Sequence, residues 1–223
     1  MIKLDPIDIR EAARYMGVKG EPDSNTLALI EKCEEEVRRR VRPNYVYRES
    51  EIDTSGEDVF LKDAGLHLKG EDIRRHLSGC RKAVIFAATL SSEADKLIRQ
   101  TAVTDVAAAL AVDCLCSAAI EQVCDKAEEE IFSEVAAEYR TWRFSPGYGD
   151  LPIEVQGDFL RCLNAQRRIG LTVTDSCLLL PTKSVTAIIG VSDMPMHKTT
   201  GSGCDSCGMR DRCAFSKKGG CSN

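Results

Sequence analysis

Apolar residues recur every three or four positions in several segments of the chain, and this spacing predicts amphipathic helices. Four such segments in the first hundred residues lie at 5–16, 26–41, 70–79 and from Ser91 or Ser92 onward. Gly17 and Pro43 follow the first two segments, and both residue types stop helices. Each of these four segments is therefore predicted to be a helix.

Short runs of β-branched, aromatic and aliphatic residues lie between and after these helices and predict strands. In the first half of the chain they lie at 45–47, 59–61, 66–68 and 82–89. Near the C-terminus they lie at 171–173, 177–180 and 185–191, after a predicted helix over 153–167. Helices and strands mix without regular alternation, so the predicted fold class is α+β.

The longest helical signal lies within residues 80–145, which contain neither glycine nor proline. The Ala-rich part from Val103 to about Tyr139 is predicted to be helical. One face of it is predicted to be an apolar stripe of Val103, Val106, Ala107, Leu110 and Cys114. A second face carries Asp113, Ser117, Glu121 and Asp125 at every fourth position. For most members of this polar line we expect exposure to solvent.

A shaped loop over residues 143–148 ends this run. Pro146 fixes one backbone angle, and Gly147 allows a turn that other residues resist. Arg143 and Tyr148 flank the turn, so a guanidinium that suits a carboxylate and a ring that suits a cation can face one pocket. The alternative is a structural turn in which Arg143 caps a backbone carbonyl.

Composition excludes several functional classes. The net charge of −5 argues against a general nucleic-acid-binding protein. No 18-residue apolar stretch or signal-peptide segment is evident, so we expect a cytoplasmic protein without membrane association. Dinucleotide-binding, P-loop, nucleophile-elbow and zinc-protease motifs are missing, which leaves familiar dehydrogenase, kinase and hydrolase functions without support.

Residues 193–223 change character and are predicted to be a Cys-rich tail beside a domain at 1–192. The tail contains Cys204, Cys207, Cys213 and Cys221, the first two as a CxxC pair. Four thiolates in this spacing fit an iron–sulfur cluster or a structural zinc ion. The third interpretation is a disordered, reduced tail without metal, or one with an adventitious disulfide. A disulfide framework for the whole protein is not expected in a chain this long without a signal peptide.

The Arg143-x-x-x-Gly147-Tyr148 segment resembles the S-adenosylmethionine-binding signature of the activation (reactivation) domain of cobalamin-dependent methionine synthase. The order of the downstream segments is also similar, with a helix, an Ile169-Gly170 step, a Pro181 turn and a final apolar strand. The similarity is strongest over residues 102–192. The Cys-rich tail and the segment 149–152 depart from the family pattern. The resemblance implies a single domain with a twisted, largely antiparallel sheet flanked by helices.

The resemblance also implies a chemistry, which belongs to methionine biosynthesis. Cobalamin whose cobalt has been oxidised to the inactive cobalt(II) form is restored by one electron and a methyl group from S-adenosylmethionine. The resemblance implies that Arg143 binds the methionine carboxylate, that Tyr148 lies beside the sulfonium, and that Glu121 binds the ammonium or the ribose. It also implies backbone contacts to the ligand from Ser145, Gly147, Ile189 and Gly190. The chain is expected to supply positioning rather than acid–base groups.

The partner implied by the resemblance is a corrinoid protein, or a methionine synthase that lacks its own activation domain, because the chain has no recognisable cobalamin-binding module. An electron donor such as flavodoxin or ferredoxin is a further expected partner, and a cluster in the tail could carry the electron. The alternative function is a non-catalytic protein that senses S-adenosylmethionine or scaffolds a corrinoid methyltransferase, with a zinc-bound tail.

Overall fold

A six-stranded antiparallel sheet organises the part of the chain described by the structure, a computed structural model covering residues 2–135 and 137–194. The strand order is β3-β2-β1-β4-β8-β5. These strands are β1 (Asn44–Asp53), β2 (Val59–Leu61), β3 (Leu66–Leu68), β4 (Lys82–Thr89), β5 (Tyr139–Arg140) and β8 (Ser184–Ser192). The α+β class and the largely antiparallel sheet expected from the sequence are confirmed.

Strand β4 lies at the centre of the sheet, paired with β1 on one side and β8 on the other. Its bounds match the predicted 82–89, and every residue from Ala83 to Thr89 is buried. Successive side chains point to opposite faces, so Val84 and Phe86 join one core while Ala83 and Ile85 join another. A sheet buried on both faces explains why this strand is uninterrupted by polar residues.

Four helices cover one face of the sheet: α1 (Ile9–Tyr15), α2 (Ser24–Arg40), α4 (Ser92–Thr104) and α5 (Val106–Glu134). The carboxylates of Asp8 and Asp23 cap the N-termini of α1 and α2. The predicted continuous helix from Val103 to Tyr139 is wrong at both ends. Asp105 closes α4 and caps α5 by accepting the Ala108 N–H at 2.9 Å, and Tyr139 lies in β5.

The predicted apolar stripe on this helix is mostly exposed. Val103, Val106 and Leu110 are 86 %, 77 % and 48 % exposed. The side of α5 that packs in the core is instead built around Ala111 and Leu115. The break at Asp105 turns the chain back against α4, so small residues rather than the larger valines meet the neighbouring helix.

Helix α5 is also long and apolar enough to cross a membrane by length and composition, which corrects the expectation that no such stretch exists. Sixty-one per cent of its most apolar window is buried inside the domain. In residues 2–135 and 137–194 it is the one helix of this kind, and its burial is that of a core helix in a soluble protein.

The other face of the sheet packs against α3 (Glu71–His76), α6 (Val155–Leu163) and α7 (Ala165–Ile169). The single helix predicted over 153–167 is divided at Asn164, which takes a left-handed conformation. The hairpin of β6 (Thr172–Val173) and β7 (Leu179–Leu180) follows and leads into β8. The three predicted C-terminal strands are confirmed with boundaries shifted by one or two residues.

Candidate functional site

A cavity of ≈ 580 Å³ opens between α5, the loop after β5 and the beginning of β8. Helix α5 contributes Glu121, Asp125 and Glu128, and the loop contributes Trp142, Arg143, Ser145 and Tyr148. The remaining wall consists of Gln156, Leu179 and residues 184–186. Four residues predicted for the site, Glu121, Arg143, Ser145 and Tyr148, therefore line one cavity.

Arg143 is bound by three carboxylates of α5. Its Nη1 lies 2.8 Å from Asp125 Oδ1 and 3.1 Å from Glu128 Oε2, and its Nη2 lies 3.5 Å from Glu121 Oε2. Positions 121, 125 and 128 fall on one face of a helix, and that face points at the loop. Arg143 thus binds carboxylates instead of capping a backbone carbonyl.

The charges in this cluster do not balance. Burial lowers the pKa of the Arg143 guanidinium, but the hydrogen bond to Asp125 and the neighbouring anions outweigh burial and raise its pKa above the ordinary value. Arg140 Nε also reaches Glu128 Oε1, at 3.0 Å. The cavity wall itself carries three carboxylates and one guanidinium, so it favours a ligand with excess positive charge.

Asp113 and Ser117, the first two residues of the polar line on α5, bind a second cation. Lys183 Nζ lies 2.9 Å from Asp113 Oδ1 and donates to Ser117 Oγ at 2.9 Å. Lys183 immediately precedes Ser184 of the cavity wall. All four members of this line contact a cation beside the cavity. The side chains of Asp113 and Asp125 nevertheless stay 46 % and 65 % exposed, so the expected exposure to solvent is found together with ion pairs that the sequence did not predict.

Aromatic residues form the opposite side of the cavity. Tyr148 is 51 % exposed, and its ring lies 5.9 Å from that of Phe144 and 6.3 Å from that of Trp142. Trp142 is half-buried and lines the cavity as well. The exposed face of Tyr148 is suited to contact a cationic or aromatic ligand.

The turn in this loop depends on Gly147. Its φ is +87°, and a Cβ there would lie 3.1 Å from Ile153 Cδ1. The Gly147 N–H donates to Leu151 O at 2.9 Å, and the Tyr148 N–H donates to Ser145 O at 3.0 Å. Gly147 therefore shapes the turn that presents Tyr148, and its N–H is used inside the loop rather than for a ligand.

Two predicted site residues lie elsewhere. Ile189 is fully buried in the helix-side core. Gly190 donates its N–H to Thr141 Oγ1 at 2.8 Å, and a Cβ there would lie 2.5 Å from Cys80 Sγ. Strand β8 reaches the cavity through residues 184–186 instead, because 189 and 190 lie further along the strand.

The structure adds residues that the sequence did not reveal, of which Glu128 and Gln156 are the most prominent. Glu128 could have been predicted from the sequence, because it lies seven positions after Glu121 and so shares its helical face. Gln156 is 6 % exposed and is held by Cys177 O at 2.7 Å and by the Thr186 hydroxyl at 3.2 Å. Nothing in its sequence surroundings predicted that location.

No metal centre is found in residues 2–135 and 137–194, where no group of three or more His, Cys, Asp or Glu side chains could hold an ion. The predicted ligands Cys204, Cys207, Cys213 and Cys221 lie outside the described residues.

Comparison with known proteins gives two findings. The family model "Vitamin B12 dependent methionine synthase, activation domain" matches residues 81–197. A crystal structure of the MetH reactivation domain bound to AdoHcy is similar in fold, with a TM-score of 0.64 and 15 % identity, covering 89 % of this chain and 80 % of that one. No curated protein sequence matches.

Proposed function

The chain belongs to the activation-domain family of vitamin B12-dependent methionine synthase, and on that premise we propose that it binds S-adenosylmethionine in the cavity beside Arg143. The methyl group would be delivered to the cobalamin of a corrinoid partner, which is thereby reactivated. The observation that carries the proposal is that Arg143, Tyr148 and Glu121 line the same cavity.

The cavity fits such a ligand in size and charge. Its ≈ 580 Å³ lies within the range of about 300–1,000 Å³ that holds cofactor-sized molecules. S-adenosylmethionine carries a carboxylate, an ammonium and a sulfonium, and so has one excess positive charge. Arg143 provides the fork for the carboxylate, while Glu121 provides an anion for the cationic groups of the ligand.

The contact to the sulfonium is assigned to Tyr148 in this proposal. Its ring is half-exposed and backed by Phe144 and Trp142, so its position is held while one face stays accessible. A ring in that position stabilises a sulfonium through its quadrupole. Ser145, on the same loop, completes this part of the wall.

The reactive metal would come from the partner. Bound cobalamin supplies the cobalt that takes the methyl group together with one electron, and this chain supplies binding and orientation. The partner is then a corrinoid protein or a methionine synthase without its own activation domain, and the electron donor is a flavodoxin- or ferredoxin-like protein. A cytoplasmic location accompanies such a partner.

The tail cysteines are proposed to bind an iron–sulfur cluster or a zinc ion. Metal and sulfide analysis of anaerobically purified chain separates the two, because a cluster gives iron, acid-labile sulfide and visible absorbance, whereas zinc gives none of these. Cys204→Ser with Cys207→Ser is expected to lose the metal. Retention of full metal content by that variant would contradict the assignment.

Calorimetric titration with S-adenosylmethionine tests the proposed function. Wild type is expected to bind, while Tyr148→Ala is expected to bind at least tenfold more weakly, about 1.4 kcal/mol. Arg143→Ala is expected to abolish binding. Tyr148 is the safer position for substitution, because removing Arg143 leaves three carboxylates facing one another.

A matched control is Arg161→Ala, which removes an arginine of α6 that is 79 % exposed and pairs with Asp158. It should bind like wild type. Folded wild-type protein that binds no S-adenosylmethionine would refute the proposed function. Binding without methyl transfer to any corrinoid partner would favour the sensing or scaffold alternative.

A further inference from the structure

The cavity loop is tied to α3 by a single carboxylate. Asp150 Oδ2 accepts the Glu71 N–H at 2.7 Å, and its Oδ1 accepts the Asp72 N–H at 3.0 Å. Helix α3 starts after Gly70, which has no side chain to cap it. The cap that usually comes from the preceding residue is therefore supplied by a residue 79 positions away.

The backbones of the two segments approach too closely for side chains between them. A Cβ on Gly70 would overlap the carboxylate of Asp150, and a Cβ on Gly149 would overlap that of Asp72. Both glycines have positive φ, +130° and +53°. Both segments therefore contribute to the contact: Asp150 supplies the carboxylate that caps the helix, and Gly70 and Gly149 leave the space for the close approach.

The same helix holds the start of the loop. His76 Nε2 and Thr141 Oγ1 form a hydrogen bond of 2.8 Å, and the His76 ring contacts those of Trp142 and Phe144, with centroids 4.8 and 4.9 Å away. Helix α3 is itself fixed, since Ile73 is fully buried. Both ends of the loop are therefore braced by α3.

Asp150 is linked to the cavity wall through the residue that follows it. Leu151, the next residue, accepts the Gly147 N–H at 2.9 Å and donates its own N–H to Tyr148 O at 3.1 Å. Leu151 is 1 % exposed, so it cannot move without disturbing the core. A shift of Asp150 away from α3 would thus displace the turn that carries Tyr148.

We propose that Asp150 is a positioning residue, which fixes the ligand-binding loop through the N-terminus of α3 without touching the ligand. The inference rests on the proposed function for its binding readout. Asp150 is exposed and is not part of the cavity wall, so loss of its carboxylate removes no contact to a ligand in the cavity.

The test compares S-adenosylmethionine affinity and amide hydrogen exchange in wild type, Asp150→Ala and Asp150→Asn. Asp150→Ala is expected to bind about tenfold more weakly, in line with the usual loss on removal of a cap. Asp150→Asn keeps one acceptor oxygen and should fall between the two. The Gly147 and Leu151 amides should exchange faster in Asp150→Ala, while the Phe144 amide, paired with Ile188 O at 2.9 Å, should not.

Asp23→Ala is the matched control, because Asp23 caps α2 in the same way, accepting the Asn25 and Thr26 N–H groups at 2.9 and 3.0 Å far along the chain from the loop. It should lose stability but keep wild-type affinity. Equal affinity in Asp150→Ala and Asp23→Ala would overturn the proposal, and so would unchanged exchange at Gly147 and Leu151. Absence of binding in wild type would instead refute the proposed function, and the exchange measurement would still decide the role of Asp150.

Discussion

Arg143 Nη1 lies 2.8 Å from Asp125 Oδ1, so the residue proposed to bind a ligand carboxylate already binds a protein carboxylate. The two anions on this nitrogen differ in environment, since the side chain of Asp125 is 65 % exposed and that of Glu128 is 16 % exposed. Glu128 is also held by Arg140. A ligand carboxylate is therefore expected to replace Asp125 and leave Glu128 in place.

This difference predicts unequal effects of removing the two charges. Asp125→Asn should change S-adenosylmethionine affinity by no more than about fivefold, because an exposed ion pair contributes about 0–1 kcal/mol. Glu128→Gln should weaken binding about tenfold, because Arg143 loses the anion that orients it. Calorimetry on both variants is the measurement, and equal losses would show that the ligand does not displace Asp125.

The excess negative charge of the cavity predicts a preference among ligands. S-adenosylhomocysteine lacks the sulfonium charge, so it gains less from Glu121 than S-adenosylmethionine does. Glu121→Gln is expected to weaken S-adenosylmethionine about two- to threefold more than S-adenosylhomocysteine at low salt.

Paired titrations at low and high salt check this preference. The difference between the two ligands should shrink as salt screens the charge. An identical loss for both ligands at low salt would mean that Glu121 contacts a group they share, such as the ammonium or the ribose.

The sequence predicted elements well where burial alone decides them. The strand at 82–89 was located to the residue, because a strand covered on both faces is apolar throughout. The polar line on α5 could not be interpreted in the same way. A helix face with Asp113 and Glu121 has the same pattern whether it meets water or cations. Arg143 meets this face from the loop after β5, and Lys183 meets it from a distant part of the chain.

The candidate site was predicted in part for a related reason. The Arg143 loop has a local signature, and its residues stay together in space. Which residues of β8 line the cavity depends on the part of the strand that lies beside it. The pairing of β8 with β4 determines that part, and the sequence does not show this pairing. Gly190 was thus assigned a ligand contact, although close packing against Cys80 is what requires a glycine there.

Gly190→Ala tests that packing role. The added Cβ would lie 2.5 Å from Cys80 Sγ and 3.0 Å from Leu77 Cδ2, so we expect a loss of about 1–3 kcal/mol in the free energy of unfolding. Cys80→Ala in the same chain should recover part of this loss. Urea denaturation measures both.

Gly157→Ala is the matched control for Gly190→Ala. Its Cβ would meet only Val173 Cγ1, at 3.7 Å, and Gly157 lies within α6. It should be neutral or stabilise the protein by up to about 1 kcal/mol. If Gly190→Ala is as stable as wild type, packing does not require a glycine at position 190, and the predicted ligand contact at Gly190 remains open.

His76 predicts how stability depends on pH. Burial lowers its pKa from the ordinary 6.5 to about 4, and the groups around its ring, Thr141, Trp142 and Phe144, are uncharged. Below pH 6.5 the unfolded chain binds a proton that the folded protein does not. The folded state therefore loses stability as the pH falls from 6.5 to 4, by about 3 kcal/mol at most, and the loss levels off below pH 4.

His76→Gln removes this titration while keeping a polar group that can bond to Thr141. The difference between urea midpoints at pH 7 and pH 4.5 should therefore be smaller in the variant than in wild type. Trp142 is the only tryptophan and touches the ring, so its fluorescence in the folded wild type should change with a midpoint near pH 4. A variant as acid-sensitive as wild type would show that His76 is not the source of the acid loss.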